Sequence, residues 1–273
     1  MSKIGKLGLI GGAGMIGRAI LEGVLEQKLV KAADVHVTAR HKRSLEKVAH
    51  LGVHAGVDNV ELVKNCDTIL LAVHPDRALA VVAECSDALI DGQLLLSVVT
   101  GVRTEDLLAA SGDKAAVVRV IPNIATIVAA SITSLCPGER VTAEQMEIAT
   151  AVFDAVGSTL VLEERHLNAC TGLAGCGPAF AFKVVESLAE GGVKMGLPRE
   201  AARKMAAWVL LGAARLVLQS GKHPAELKEA VTTPGGCTID GIAELEARGL
   251  PIAMIAAVET STLKAAKLAP GDN

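Results

Sequence analysis

The stretch Lys6–Ile20, K-L-G-L-I-G-G-A-G-M-I-G-R-A-I, constrains the fold more than any other part of the chain. A short apolar run, Leu7–Ile10, breaks into Gly12-Ala13-Gly14-Met15-Ile16-Gly17, and apolar residues then recur at Ile16, Ile20 and Val24. The order is strand, tight turn, helix, and the glycine spacing is that of a dinucleotide-binding turn. Gly12 is expected to let the backbone fold back, Gly14 to let a pyrophosphate approach, and Gly17 to let helix and strand pack closely. The first free N–H groups of such a helix, at its positive dipole end, hold phosphate oxygens.

The rest of the N-terminal half extends this pattern. Asp34–Ala39 alternates as a strand does, and Asp67–Val73, Gln93–Val99 and Ala116–Ile121 are continuous apolar runs, as expected of parallel strands covered on both faces. Ser131–Leu135 and Thr159–Leu162 read as further strands around a helix whose Thr142-x-x-Gln145 start is a capping box. The second strand ends in Ala39-Arg40, followed by His41-Lys42-Arg43, where an acidic residue would grip the ribose 2′-hydroxyl of NADH. A cation there suits a 2′-phosphate, so NADPH is favoured and NADH stays open. The later strands close on His74-Pro75, Ser97–Gly101 and Arg119–Asn123, three clusters that should line one crevice with the glycine turn.

Past Glu163 the period becomes helical, with Pro178, Pro198 and Pro224 near helix starts and Gly196, Gly221 and Gly249 past helix ends. The expected organisation is an α/β Rossmann-type parallel sheet domain, residues 1–162, followed by an all-α dimerisation domain, residues 163–273. Small residues crowd the helices and aromatics are scarce, so a partner subunit is expected to cover their apolar faces in a homodimer. Two glycine-rich breaks interrupt the helical half, Thr171–Ala179 and Val231–Thr238. In the second, Gly235-Gly236 frees backbone N–H groups before a helix, with Thr233 and Thr238 beside them: an anion nest without fixed charge, suited to a small carboxylate. The alternative is a plain helix start with Thr238 as its N-cap.

Composition narrows the partners. A net charge of −3 gives no electrostatic case for nucleic acid or an acidic membrane surface, and the apolar run Met205–Ala214 is too short for a span. The 6 cysteines show no C-x-x-C and no histidine at metal spacing, and no signal-cleavage site is evident, which points to reduced thiols in the cytoplasm and to no bound metal.

These residues together resemble the pyrroline-5-carboxylate reductases. The resemblance runs through the N-terminal G-A-G, Ala72–Pro75, Ser97–Gly101, the R-x-x-P-N of Arg119–Asn123, G-x-G-P-A at 175–179, G-V-x-x-G-L-P-R at 192–199 and T-P-G-G-x-T at 233–238. It implies a helical domain like the C-terminal part of 6-phosphogluconate dehydrogenase, interlocked in a dimer and often stacked into larger rings. It also implies that the cofactor lies on Gly12–Gly17, near Ala39-Arg40, and against Asn59, Ala72-Val73, Pro75 and Val99-Thr100. Substrate carboxylate would be held by Thr233 and the amides around Gly236, Cys237 and Thr238, with the Thr238 hydroxyl on the ring nitrogen and Glu164 nearby. The implied reaction is reduction of a cyclic imino acid, 1-pyrroline-5-carboxylate or a relative, to proline. The chain departs from the family pattern at His74, Ile124-Ala125, Ala174, Cys176, Ala230 and Cys237.

Two other readings compete. A β-hydroxyacid-type dehydrogenase would share the N-terminal fold and the opening Gly172-x-x-Gly175-x-Gly177, but its lysine would fall at Ala181, and Lys183 lies on another helical face. A non-catalytic NADPH-binding sensor would bind cofactor without turnover.

Overall fold

The computed structural model describes residues 4–267, so the ends of both expected domains lie outside the described residues. The chain runs β1 (Leu7–Ile10), α1 (Met15–Glu26), β2 (Val35–Thr38), α2 (Lys42–Leu45), β3 (His54–Gly56), α3 (Asn59–Asn65), β4 (Thr68–Leu71), α4 (Pro75–Cys85), β5 (Leu94–Ser97), α5 (Thr104–Ala110), β6 (Ala116–Ile121), β7 (Ser131–Pro137), α6 (Ala143–Asp154) and β8 (Gly157–Val161). A short helix α7 (Leu167–Cys170) and a π turn at Thr171–Gly175 lead into α8 (Gly177–Lys194), α9 (Arg199–Ser220), α10 (Pro224–Ala230), α11 (Cys237–Ala247) and α12 (Leu250–Ala266).

The strands form one 8-stranded sheet in the order β3-β2-β1-β4-β5-β6-β7-β8. Every pairing is parallel except β6 with β7, which is antiparallel, so the sheet is parallel-dominated rather than wholly parallel. The period of two in each strand explains why the runs read as continuously apolar. Leu7, Leu9, Leu70, Leu96 and Val118 join Ile20, Leu21 and Val24 of α1 and Phe153 of α6 on one face. Ile10, Ile69, Leu71, Leu95 and Val117 join Leu62, Val82 and Leu107 on the other. Strand β3 escapes a sequence reading because its residues, His-Ala-Gly, are short and largely exposed.

The caps formed as their residues dictate. Thr142 Oγ1 accepts from the Gln145 N–H while the Gln145 side chain takes the Thr142 N–H, a box worth about 1 kcal/mol. Pro75 and Pro224 occupy first helical positions.

Two compact units divide the chain: one runs through Cys176 and regains it from Thr260, the other is Gly177–Glu259. The division falls later than residue 162, where strand patterning stops, because Leu167 still buries itself against Ile121 and Cys136 of the sheet unit. In the helical unit α8 and α9 approach over Ala189, Ala202 and Ala206. A Cβ on Gly192 would stand 3.2 Å from that of Ala202, tighter than an ordinary contact, so glycine eases the close approach there. Large apolar side chains of this unit, Trp208, Leu216, Leu218 and Ile252 among them, are exposed. Among the described residues no helix is long and apolar enough to cross a membrane.

Candidate active site

The glycine turn divides its work differently from the expectation. The sharp reversal is made at Gly11, whose φ of +78° and whose closeness to the Ala72 carbonyl, 2.4 Å from a built Cβ, both demand glycine. Gly12 instead lies against the strands: a Cβ there would meet that of Leu9 at 2.6 Å and Val37 at 3.0 Å. A Cβ on Gly17 would stand 2.9 Å from Gly12 Cα, the close helix–turn packing expected. Gly14, in extended conformation, is the N-cap of α1, and a Cβ built there would meet the Gly11 carbonyl oxygen alone, at 3.3 Å. The side of Gly14 where a larger residue would project is thus open, as a phosphate cradle requires.

Two recesses share Gly14 and Val73 in their linings. The first, about 510 Å³, is lined by Ala13, Gly14, Ala39, Arg40, Asn59 and Val73, and also by Ser44, Lys47 and Arg77. The second, about 330 Å³, is lined by Gly14, Met15, Ile16, Gly17, Ala72, Val73 and Thr100, with Val98, Ile121 and Pro122. Of the expected cofactor residues, Gly12, Pro75 and Val99 line neither: Gly12 packs beneath the turn, Pro75 opens α4, and Val99 is buried in the core. Asn59 is held at the rim by the Thr38 hydroxyl, which donates to its Oδ1 at 2.7 Å. Ser44 belongs to the short helix α2, and Arg40 and Lys47 lie on either side of it, so no helical period joins the three in the sequence. Arg77 carried no signal either.

Glu164 does not hang free. Its Oε1 accepts from Arg119 Nη1 at 2.5 Å and from the Thr104 N–H at 3.0 Å. Burial pushes its carboxyl up, but the Thr104 N–H and the Arg119 guanidinium outweigh that and hold it below its ordinary range. Two residues beyond Arg119 in sequence order comes Ile121, and Asn123 then donates from Nδ2 to the Ala174 carbonyl of the π turn at 3.0 Å. The thiols nearest the sheet core are inert: burial pushes Cys66 up to about 12, and Cys85 and Cys136 to about 11.

In the helical unit, Thr233-Pro234-Gly235-Gly236 closes a turn through the Gly236 N–H and the Thr233 carbonyl at 3.0 Å, with Gly235 at φ +69° in the third position that a type II turn reserves for glycine. A Cβ on Gly236 would lie 2.5 Å from Thr233 Oγ1, so the second glycine keeps that hydroxyl close. Gly236 is the N-cap of α11, Cys237 begins it, and Thr238 follows with its side chain exposed. The plain helix start capped by Thr238 is therefore not what forms. Lys183, the group a hydroxyacid dehydrogenase would have needed, is an exposed partner of Glu186 at 2.5 Å on the surface of α8.

The family model described as pyrroline-5-carboxylate reductase dimerisation matches residues 164–268, and one described as coenzyme F420-dependent NADP oxidoreductase matches residues 6–101. The pyrroline-5-carboxylate reductase of Methanosarcina acetivorans is 36% identical over 93% of this chain and 94% of its own. The solved structure of a pyrroline-5-carboxylate reductase from Coxiella burnetii has a TM-score of 0.92 at 30% identity, covering 97% of this chain and 99% of that one. The Plasmodium falciparum pyrroline carboxylate reductase with NADP bound has a TM-score of 0.87 at 26% identity, over 98% and 99% of the two chains. Similar along its whole length and carrying that family's dimerisation segment, the chain belongs to the pyrroline-5-carboxylate reductase family.

Proposed function

We propose that the protein reduces 1-pyrroline-5-carboxylate to L-proline with NADPH, the last step of proline biosynthesis. The observation that carries the reading is that both halves of the needed apparatus lie inside the family match: a glycine cradle under a helix N-terminus and a Thr-Pro-Gly-Gly turn under another. The amides of Met15, Ile16 and Gly17 would hold the cofactor pyrophosphate, and Arg40, Ser44 and Lys47 a 2′-phosphate. Bound cofactor supplies a hydride from nicotinamide C4 to the imine carbon. The chain's own part is to anchor the substrate carboxylate on Thr233 and the N–H groups of Gly236, Cys237 and Thr238, and to accept the N–H of the ring iminium on the Thr238 hydroxyl oxygen. The iminium already carries its proton, so positioning suffices and no strong general base is required.

Because the two cradles belong to different compact units, their meeting on one cavity, within a chain or across a dimer, is part of the proposal. The apolar surface of α9 and α12 and the dimerisation match support a homodimer, with rings of dimers as a further assembly. The 6 free thiols fit a cytoplasmic setting. The test follows absorbance at the nicotinamide band with pyrroline-5-carboxylate, its six-membered analogue, and a hydroxyacid in the reverse direction. Consumption of NADPH with the five-membered imine is expected. Failure with every cyclic imino acid would end the reading.

A further inference from the structure

Glu164 sits where three pieces of the sheet unit meet, and it touches two of them with a single oxygen. Its Oε1 takes the Thr104 N–H, at the start of α5, and Arg119 Nη1, on β6. The Arg119 side chain is 7% exposed, and its guanidinium would be a stranded buried cation without this carboxylate. Both fastened pieces lead into the second recess: Val98 and Thr100 precede Thr104, and Ile121 and Pro122 follow Arg119. The third piece is the π turn Thr171–Gly175, which Glu164 precedes in the chain. Asn123 ties it by its bond to the Ala174 carbonyl, and a Cβ on Gly175 would lie 3.9 Å from Ile121 Cγ2. π turns recur at functional sites because they re-aim backbone groups.

We infer that Glu164 and Arg119 are positioning residues: the pair clamps the β5–α5 loop to the end of β6 and so sets the width of the recess that takes the nicotinamide end of the cofactor. Neither side chain lines that recess, so the pair acts through Thr100, Ile121 and Pro122. The adenosine end is built by other residues, Arg40, Lys47 and Asn59, in the other recess. Loosening the clamp therefore disturbs hydride transfer and spares adenosine binding. The inference rests on the reductase reading for its kinetic consequence only.

The experiment compares Glu164→Ala, Arg119→Gln and Arg119→Lys with the wild type. Expected are a kcat lowered about tenfold in the first two, in line with the sensitivity of transfer to small misplacement, and a larger primary deuterium isotope effect with C4-deuterated NADPH. The affinity for adenosine 2′,5′-bisphosphate should stay within about twofold, which also reports that the variants fold. Arg119→Lys, which keeps the charge, should recover part of the rate. Unchanged kcat, or a loss of bisphosphate affinity in step with kcat, would overturn the inference. A wild type inactive on every cyclic imine would count against the reductase reading instead. The clamp would then be read from the fluorescence of bound NADPH, expected to differ in Glu164→Ala while bisphosphate affinity holds; identical fluorescence would overturn it.

Discussion

At the level of single residues, the reading divides between a hydroxyl and a carboxylate. If Thr238 hydrogen-bonds the substrate nitrogen, Thr238→Ala loses a bond to a charged group, about 1.5–3 kcal/mol, and kcat falls about 10- to 100-fold. NADPH affinity is kept, because the cofactor cradle lies elsewhere; steady-state kinetics with a binding titration checks both, and unchanged turnover refutes the assignment. For Glu164 the sign follows from its depressed folded pKa against an ordinary value of 4.5. Its contribution to stability is fully present above that ordinary value and is lost as pH falls through the lower folded one. The gap in urea midpoint between wild type and Glu164→Gln should thus be widest near neutrality and narrow in acid below about 4.5. A gap that ignores pH would mean the Arg119 pair adds nothing through charge. The turn at Thr233–Gly236 was legible in the sequence, since Pro-Gly-Gly before a helical pattern specifies a tight reversal. The partners of Glu164 were not: Thr104 and Arg119 are 60 and 45 residues away in the chain, and nothing local marks them.

Among the elements, those whose residues speak in short range were readable, and those defined by a neighbour were not. Strands β1, β4, β5 and β6 announce themselves by unbroken apolar runs, and α6 by its capping box. Strand β3 exists because β2 offers it an edge, and its exposed residues carry no pattern. The reversed direction of β7 was equally hidden, since apolar alternation is the same read either way. The last strand depends on one glycine: a Cβ on Gly157 would stand 1.9 Å from the Ser131 carbonyl oxygen, opposite it in the β7–β8 register. Gly157→Ala should therefore cost more than about 2 kcal/mol, since the obstacle is backbone and cannot rotate away. Urea unfolding measures this, and a variant as stable as the wild type would show that β8 pairs in another register.

At the scale of the molecule, the helical unit exposes Trp208, Leu216 and Leu218 of α9 while burying chiefly alanines between α8 and α9. Such a surface fits the dimerisation segment that the family model matches over residues 164–268. Trp208→Glu should shift the protein from dimer to monomer in light scattering, and a dimer that survives the change would place the interface elsewhere. By itself the sequence determined the glycine cradle, the buried strands, the cationic end of β2, and the Thr-Pro-Gly-Gly turn. Each of these is a demand that residues make within a few positions of themselves, through φ, hydrogen bonding or period. Only the tertiary structure decided that Gly11, pressed on the Ala72 carbonyl, rather than Gly12 makes the reversal, that Arg77 joins Arg40, and that Glu164 is fastened to Arg119. Those are encounters between distant segments, and the chain meets them only when the sheet brings its strand ends side by side.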